Sequence, residues 1–233
     1  MRLQLGRTMV VDTLPAHSPA APEENPGMHT SPLLTFPADA TFARQPSIQV
    51  REFVTQTDLM AIENLYRQSY IADPCAHCAC TGGVQFSRDR EWLAEHASLP
   101  GARMALAHDS QQQLVGFAQF YTDPEHFPGF VGDLNSRYAH LGKIAYMYLI
   151  LVAPESRGQH IGHRLYHAAF EQSRQLGCSH IAAEIFVCPV PNSASLRFHE
   201  SLDFQYTGQT VTHARSQEGK NYQLTYTQLL RSL

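Results

Sequence analysis

The chain has 233 residues, of which 43% are hydrophobic, so it can bury the core of one large domain and still carry an appendage. Its formal charge of −4 leaves no general basic field, which argues against nucleic acid as a partner. No apolar run is long enough to span a membrane, the first residues lack the apolar core of a secretory signal, and five cysteines do not indicate a disulfide framework, so we expect a cytoplasmic protein with no membrane partner.

The first segment of the chain, residues 1–46, is rich in proline, alanine, serine and threonine. It shows little hydrophobic periodicity, and a segment of this composition cannot bury enough apolar surface to fold by itself. We therefore expect a disordered leader over residues 1–46 and one folded domain over residues 47–233.

Two amphipathic segments follow this leader. Ser47–Val54 alternates apolar and polar residues, which is typical of a half-buried strand. The next segment, from Leu59 to about Ile71, predicts a helix that is capped by Thr57 or Asp58. The predicted buried face of this helix consists of Leu59, Ile62, Leu65 and Tyr66.

A cysteine-rich loop comes next, with Cys75, His77, Cys78 and Cys80 crowded into six positions. Thiolates and imidazoles are zinc ligands, but structural zinc sites normally draw them from two separated pairs. Only one such cluster is present, so we expect a flexible loop of reduced thiols and no metal. Metal analysis of the purified protein would test this expectation.

The middle of the chain predicts a short helix and a hairpin. Glu91–Ala97 has helical character, and Ala102–Ala107 and Leu114–Tyr121 are typical of two paired strands. Gly116, inside the second strand, indicates a bulge or a close backbone approach. The long segment Thr122–Leu141 is rich in proline, glycine, histidine and aromatic residues, and it is equally consistent with a lid over a functional site and with an exposed insertion.

The next segment combines a strand, a turn and the start of a helix. Tyr146–Val152 is a continuous apolar run of strand length, and Pro154 ends it. Apolar residues then recur at helical spacing from Ile161, and Gly177 is expected to end this helix as its C′ residue. Such a turn leaves backbone N–H groups unpaired at the helix N-terminus, where the dipole favours an anion such as a pyrophosphate. The glycine spacing fits neither the dinucleotide fingerprint nor the P-loop.

The last part of the chain predicts three more strands and a helix. Ile181–Val187 is typical of a buried strand, and Asn192 can cap the helix that follows. Asp203 lies where the helix end requires a left-handed residue. Phe204–Val211 and Lys220–Leu229 alternate like two strands. Three residues share one face of this last helix: Leu196, His199 and Leu202.

Two segments carry a resemblance to a known family. Arg157, His160 and Gly162 follow the pattern Arg/Gln-x-x-Gly-x-Gly/Ala, with His160 in place of the middle glycine. Asn192–Phe204 resembles Asn-x-x-Ala/Ser-x-x-Phe/Leu-Tyr-x-x-Leu-Gly-Phe. These patterns are the acetyl-CoA loop and the second diagnostic segment of the GCN5-related N-acetyltransferase (GNAT) superfamily. The chain resembles this superfamily over about residues 47–230.

The resemblance implies the α/β (α+β) class, with a single GNAT-like domain whose mixed central sheet of about seven strands is flanked by about four helices. It also implies that acetyl-CoA, as acyl donor, lies between the fourth and fifth strands, and no metal is expected. The residues implied to bind it are Ile150, Leu151 and Val152 along the pantetheine arm, Arg157, Gly158, Gln159, His160, Ile161, Gly162 and His163 at the pyrophosphate, and Asn192 facing the cofactor.

Three residues are candidates for acid–base chemistry, because amine attack on a thioester needs a base and the departing thiolate needs a proton. His199 matches a tyrosine that donates this proton in many members, and histidine titrates near neutrality. The alternative is a helix-face histidine that is satisfied by a neighbouring carbonyl group. Tyr148 matches the carboxylate base of other members, so Glu184 on the neighbouring predicted strand is the substitute. A carboxylate in that apolar run either faces the cleft or is a structural charge paired with an arginine.

The function implied by the resemblance is transfer of an acetyl group from acetyl-CoA to a primary amine by direct attack, with a small molecule as the expected acceptor. The alternative is a non-catalytic acyl-CoA-binding regulatory domain, because the tyrosine and the middle glycine of the family are both replaced. A homodimer is compatible with either function. His163 and His167, one helical turn apart, are expected to be surface residues rather than a metal pair.

Overall fold

The computed structural model describes six ranges of the chain: residues 47–51, 55–69, 89–123, 137–188, 190–217 and 220–233. The predicted leader, the cysteine-rich loop and most of the segment Thr122–Leu141 lie outside the described residues, so these three predictions stay predictions. Among the described helices, none is both long and apolar enough to cross a membrane.

The described elements follow the predicted order of strands and helices. The strands are β1 (Ser47–Arg51), β2 (Ala102–His108), β3 (Leu114–Tyr121), β4 (Ile144–Val152), β5 (His180–Cys188), β6 (Gln205–Gln217) and β7 (Lys220–Ser232). The helices are α1 (Gln56–Gln68), α2 (Arg90–Ala97), α3 (Ile161–Gln175) and α4 (Ser193–Glu200). Two short 3₁₀ turns, Ala139–Leu141 and Pro154–Ser156, precede and follow β4.

The seven strands form one mixed sheet in the order β1-β2-β3-β4-β5-β7-β6. β4 and β5 are parallel, as the crossover through α3 requires, and every other neighbouring pair is antiparallel. The predicted mixed sheet with about seven strands and four helices is therefore confirmed.

Apolar side chains cover both faces of this sheet. On one face, α3 packs against β3, β4 and β5 through Leu165, Phe170 and their neighbours. On the other face, α1 and α2 pack against β2, β3 and β4 around Ile62, Leu93 and Phe117. The predicted buried face of α1 is confirmed. The second face also carries polar side chains near the centre of the sheet, and these belong to the site described below.

The start of α1 differs from the prediction. Thr55 is the N-cap, and its hydroxyl accepts a hydrogen bond from the backbone N–H of Asp58 at 3.1 Å. The Asp58 carboxylate accepts in return from the backbone N–H of Thr55 at 2.8 Å. Neither Thr57 nor Asp58 is the cap, because this reciprocal capping box begins the helix earlier than the apolar periodicity alone suggests.

The predicted irregularity at Gly116 is confirmed. The register between β2 and β3 shifts beside it, since Ala107 pairs with Gly116 but His108 pairs with Leu114. A Cβ on Gly116 would lie 3.1 Å from the carbonyl oxygen of Leu151. Both a bulge and a close backbone approach therefore occur at this glycine.

Gly101, in the turn before β2, is the glycine whose substitution we expect to be least tolerated. Its φ is +75°, and a Cβ there would lie 2.6 Å from the Cβ of Asp123. Gly101→Ala is therefore expected to cost more than about 3 kcal/mol of unfolding free energy. Gly177→Ala is the matched control, because its φ is +79° but no atom lies within 4 Å, so about 1–2 kcal/mol is expected from strain alone. If denaturant unfolding gave equal losses of unfolding free energy for the two variants, the expected clash with Asp123 would be contradicted.

Candidate active site

The parallel strands at the centre of the sheet separate part of the way along. β4 and β5 pair from Ile144↔His180 to Met147↔Ala183, and no pair is described between Tyr148–Val152 and Glu184–Cys188. β4 remains paired with β3 over this stretch. The edge of β4 that faces β5 thus has backbone N–H and C=O groups available for an extended, amide-bearing ligand.

A bulge in β4 lies at the apex of this opening. Gln119 of β3 pairs with Leu149, whereas Phe120 pairs with Met147, so Tyr148 is the extra residue of β4. A bulge of this kind redirects side chains and is common beside active sites. Tyr148 is also the first β4 residue beyond the segment paired with β5, so its backbone and ring both lie where the two strands part.

The turn between β4 and α3 forms the outer end of the opening. Gly158 and His160 both have left-handed backbones, with φ of +75° and +57°. His160 is the N-cap of α3, and its side chain makes no capping hydrogen bond. The Nε of Arg157 donates to the carbonyl oxygen of Val152 at 3.3 Å and so ties the turn to β4. The first N–H groups of α3 therefore lack a side-chain cap, and they fit an anionic group such as a pyrophosphate.

The two glycines of the turn have different surroundings. A Cβ on Gly158 would meet nothing within 4 Å, so the backbone there is open to an approaching ligand. A Cβ on Gly162 would lie 3.0 Å from Cζ of Phe198, so this glycine allows α4 to pack closely against α3. The cofactor-binding role predicted for Gly162 stays a prediction, and the structure adds a packing role.

The side chain of His160 is exposed, and its ring centroid lies 5.5 Å from that of His163. Partial burial lowers the pKa of His163, with further lowering from His160 and His167. Within the described part of the chain, no group of three histidine, cysteine or acidic residues could hold a metal ion. His167 is exposed as predicted, and His163 is half-buried.

His160→Gly is expected to raise the free energy of unfolding by about 1 kcal/mol, because a left-handed backbone is costly for a residue with a Cβ. Acetyl-CoA affinity is expected to change by less than about threefold, since the exposed ring leaves the turn open. Thermal unfolding and calorimetric titration measure the two effects. His167→Gly, on the exposed face of the same helix, is the control and should lose about 1 kcal/mol. A large gain of affinity in His160→Gly would show instead that the ring narrows the site.

Asn192 connects the end of β5 to α4. Its side-chain oxygen accepts from the backbone N–H of Ser195 at 3.1 Å, and its own N–H donates to the carbonyl oxygen of Phe186 at 3.0 Å. The predicted helix cap is confirmed. The predicted contact of Asn192 with the cofactor stays a prediction.

Glu184 is the first β5 residue beyond the segment paired with β4, and its side chain is partly exposed. Its carboxylate accepts hydrogen bonds from Nε2 of Gln228 on β7, at 3.0 Å, and from the hydroxyl of Tyr146 on β4, at 3.3 Å. Among the described residues no arginine pairs with it, so the interpretation as a structural ion pair is not supported. Two neutral donors orient this carboxylate at the apex of the opening.

Burial raises the pKa of Glu184 to about 7, although the hydrogen bonds from Gln228 and Tyr146 act in the opposite direction. The pKa of Tyr146 is raised well above its ordinary value by burial and by Glu184, so this hydroxyl stays a hydrogen-bond donor. A carboxyl group that titrates near neutrality can accept and release a proton at physiological pH. This property is what a general base in the opening requires.

Aromatic rings surround the apex on the same face as Glu184. The ring centroid of Tyr148 lies 5.7 Å from that of Trp92, 6.2 Å from that of Tyr121 and 6.4 Å from that of Tyr146. Trp92 and Tyr148 are partly exposed, whereas Tyr121 and Tyr146 are buried. The sequence analysis missed Trp92, Tyr146 and Gln228 as site residues, although the alternation in Tyr146-Met-Tyr148 could have placed both tyrosines on one face.

His199 is enclosed in the core, so the structure does not support the expectation that it serves as the acid, and this role stays a prediction. Its side chain is 2% exposed and packs between α3 and α4. Nε2 accepts a hydrogen bond from the hydroxyl of Tyr166, and Nδ1 donates to the carbonyl oxygen of Ser195 at 2.7 Å. Burial lowers the pKa of His199 to about 4, so the ring is neutral at physiological pH. Its surroundings are those of a core residue.

The opening between β4 and β5 thus brings together most of the predicted site residues. Glu184 and Tyr148 lie at its apex, and the exposed edge of β4 contributes Ile150 and Val152. Leu151 points into the core on the face that α1 and α2 cover. The turn residues Arg157, Gly158, Gln159 and His160 lie at its outer end and are exposed. Ile161 is buried, so only its backbone can take part.

Comparison with known proteins gives one family match. The model of a family described as the acetyltransferase (GNAT) family matches residues 59–204, which include most of α1, the opening, the turn and α4. No curated protein matches the chain in sequence.

Several solved structures share the fold. An N-acetyltransferase from Staphylococcus aureus Mu50 aligns with a TM-score of 0.52 at 16% identity, over 80% of this chain and 98% of its own. A ribosomal-protein-alanine N-acetyltransferase from Brucella melitensis aligns with 0.53 at 22% identity, over 79% and 99%. A GCN5-related N-acetyltransferase from Kribbella flavida aligns with 0.50 at 20% identity, over 80% and 98%. At these identities the likeness concerns the fold alone.

Proposed function

Because the chain belongs to the acetyltransferase (GNAT) family, we propose that it transfers an acetyl group from acetyl-CoA to the primary amine of a small molecule by direct attack. The observation that carries this proposal is the position of Glu184. Its carboxyl group has a pKa of about 7 and lies at the apex of the opening between β4 and β5. The unpaired edge of β4 and the turn before α3 lead away from it, and they fit the amide arm and the pyrophosphate of the donor.

Glu184 acts as the base in this proposal. It takes a proton from the ammonium form of the acceptor, directly or through one water, so that the nitrogen lone pair becomes available. The C–N bond forms at the thioester carbonyl carbon, and the C–S bond breaks with the electron pair leaving on sulfur. The nitrogen then loses a second proton to water, which leaves a neutral amide. A backbone N–H of the unpaired β4 edge stabilises the oxygen that becomes negatively charged.

Tyr148 is the proton donor that we assign to the departing thiolate, since Tyr148 lies at the apex and His199 is enclosed in the core. Tyr148→Phe is expected to lower kcat by about tenfold to 100-fold while leaving the ring in place. Initial rates across a pH series measure this change. A kcat that stays within twofold at every pH would remove Tyr148 from the mechanism.

The second candidate function is a non-catalytic acyl-CoA-binding domain. The observation that favours it is the replacement of the family's tyrosine by His199, whose ring is enclosed in the core. A binding domain would take up acetyl-CoA in calorimetry but would release no thiol with any amine.

Thiol release from acetyl-CoA in the presence of a panel of primary amines tests both functions, with mass spectrometry of the acetylated product. Transfer is expected to depend on the amine and to be lost in Glu184→Gln. Binding of acetyl-CoA without amine-dependent thiol release across the panel would instead establish the regulatory function.

A further inference from the structure

We propose that the acceptor is a primary amine on an aromatic or alkyl skeleton that carries no anionic group beside the nitrogen. Its skeleton packs against Trp92 and Tyr148, and its nitrogen faces Glu184. This inference rests on the proposed function, since it names the class of molecule that the same site accepts.

The walls of the acceptor side are aromatic. Trp92 on α2 and Tyr148 on β4 are both partly exposed, and their ring centroids are 5.7 Å apart with a tilt of 32°. His96 stacks on Trp92 with centroids 3.6 Å apart and so supports that ring from one side. Partly exposed rings held in this way offer flat apolar surface at low entropic cost, and their faces attract a nearby cation.

The aromatic walls connect to the carboxylate through direct contacts. Tyr148 lies beside Tyr146, with centroids 6.4 Å apart, and the hydroxyl of Tyr146 donates to Glu184. By the alternation of β5, Glu184 points to the same face as Ala182, which packs with Tyr121 and Tyr146. A molecule whose skeleton touches Trp92 and Tyr148 therefore directs one end toward Glu184.

The polar groups at the apex of the opening require hydrogen-bond donors from the ligand. A carboxylate has about four lone-pair positions, and Tyr146 and Gln228 use two of those of Glu184. The side-chain oxygen of Gln228 is buried without a partner among the described residues, so the lone pairs left on Glu184 are the acceptors that a ligand can reach. An ammonium group supplies up to three N–H donors and the opposite charge.

An anionic group beside the amine is unfavourable for the same reason. A ligand carboxylate within about 5 Å of Glu184 would repel it, and at an effective dielectric constant of about 20 this repulsion weakens binding by on the order of 100-fold. The α-carboxylate of a free amino acid lies at such a distance from its nitrogen. Amino acids are therefore expected to be poor acceptors compared with the corresponding amines.

Trp92 provides a direct probe of this site, because it is the only tryptophan in the chain. The experiment titrates the protein with 2-phenylethylamine and with phenylalanine, which differs by one carboxylate, and records Trp92 fluorescence with and without saturating coenzyme A. Coenzyme A carries no acetyl group, so no turnover occurs. We expect a saturable change with the amine at a Kd at least about tenfold lower than that for phenylalanine.

Two variants of Trp92 test whether its ring contacts the bound amine. Because both remove the fluorophore, their affinities are measured by calorimetry. Trp92→Leu is expected to weaken binding of 2-phenylethylamine by about fivefold to tenfold, whereas Trp92→Phe keeps a ring and should lose less than about threefold. Tyr148→Phe also keeps its ring, so its affinity should stay within about twofold even though its turnover falls.

The outcomes separate this inference from the proposed function. Equal or tighter binding of phenylalanine, or unchanged affinity in Trp92→Leu, overturns the inference. Selective binding of the amine without thiol release from acetyl-CoA supports the class of ligand that the inference names and refutes the acetyltransferase function. Thiol release that favours phenylalanine over the amine refutes the inference and leaves the acetyltransferase function in place.

Discussion

Replacing Glu184 by glutamine is expected to lower kcat/KM for acetyl transfer by about 100-fold to 1,000-fold, because a well-positioned general base typically contributes about that much. Glutamine has nearly the same shape, and it can still form hydrogen bonds with Gln228 and Tyr146. The change therefore removes the proton acceptor and leaves the opening between β4 and β5 in place. A loss of this size with little change in acetyl-CoA affinity would identify Glu184 as the base.

The pH dependence gives the more specific signature. The base must be ionised to act, so kcat/KM of the wild-type protein is expected to rise with pH and to level off above the pKa of Glu184, at about 7. In Glu184→Gln this acidic limb should be absent. A variant that keeps both the wild-type rate and the acidic limb would remove Glu184 from the mechanism.

The same substitution is expected to stabilise the protein at alkaline pH. The carboxyl group has an ordinary pKa of 4.5 in the unfolded chain and a pKa of about 7 in the folded protein, where burial disfavours the charge. Between these values the folded state holds the extra proton, so the free energy of unfolding falls as the pH rises. Above about pH 7 the wild type bears a cost of up to about 3 kcal/mol that glutamine avoids.

Thermal unfolding at about pH 5 and about pH 8 measures this effect. The advantage of Glu184→Gln in Tm should be several degrees at the higher pH and should shrink at the lower one. Glu171→Gln on the exposed surface of α3 is the matched control, and we expect its stability to stay within about 0.5 kcal/mol of the wild type. Gain of stability together with loss of activity would show that the partly buried carboxylate is kept for its chemistry.

Removing the side chain of His199 is expected to lower the free energy of unfolding by about 3–5 kcal/mol. The imidazole fills space in the core, and its loss leaves a cavity among Tyr166, Phe198 and Phe204. The hydroxyl of Tyr166 would also lose its acceptor, which adds the cost of an unpaired buried donor. Denaturant unfolding of His199→Ala measures this loss.

The pH dependence of stability is expected to change in the same variant. The folded pKa of His199 is about 4, below its ordinary value of 6.5, because burial opposes the charged form. Its contribution is fully present above about pH 6.5 and is lost as the pH falls toward about 4, and it amounts to about 3 kcal/mol. The stability gap between wild type and His199→Ala should therefore narrow in acid.

Two variants serve as controls for His199→Ala. Tyr166→Phe removes the other partner of the same hydrogen bond, and the effects of the two substitutions should not add. His167→Ala lies on the exposed face of α3 and should change stability by less than about 0.5 kcal/mol. If folded His199→Ala lost its turnover at normal stability, His199 would again be the acid.

Local patterns predicted much of this molecule because the forces behind them act over a few residues. The order of strands and helices, the buried face of α1, and the caps at Asn192 and Gly177 follow from periodicity and turn chemistry. The left-handed backbone at Asp203 was predicted in the same way. The pattern around Arg157–Gly162 placed an anion site at the start of α3, where the structure has uncapped N–H groups.

The prediction for His199 shows how little a matched position says about the environment of a side chain. The helical spacing of Leu196, His199 and Leu202 already indicated a shared face, and the structure buries His199 and Leu202. The acid role came from the position alone, where many members of the family have a tyrosine. Here the imidazole forms hydrogen bonds with Tyr166 and Ser195, as expected of a helix-face histidine that is satisfied by a neighbouring carbonyl group.

What the sequence determined by itself is the fold family, the succession of elements and the turn before α3. The tertiary structure alone decided the environment of Glu184, because its two partners come from positions 38 and 44 residues away, on strands that lie on either side of β5. It also decided that β4 and β5 part after Met147 and that Trp92 of α2 lies beside Tyr148. Burial and hydrogen bonding set the pKa of a carboxyl group, and both depend on contacts that local periodicity does not encode.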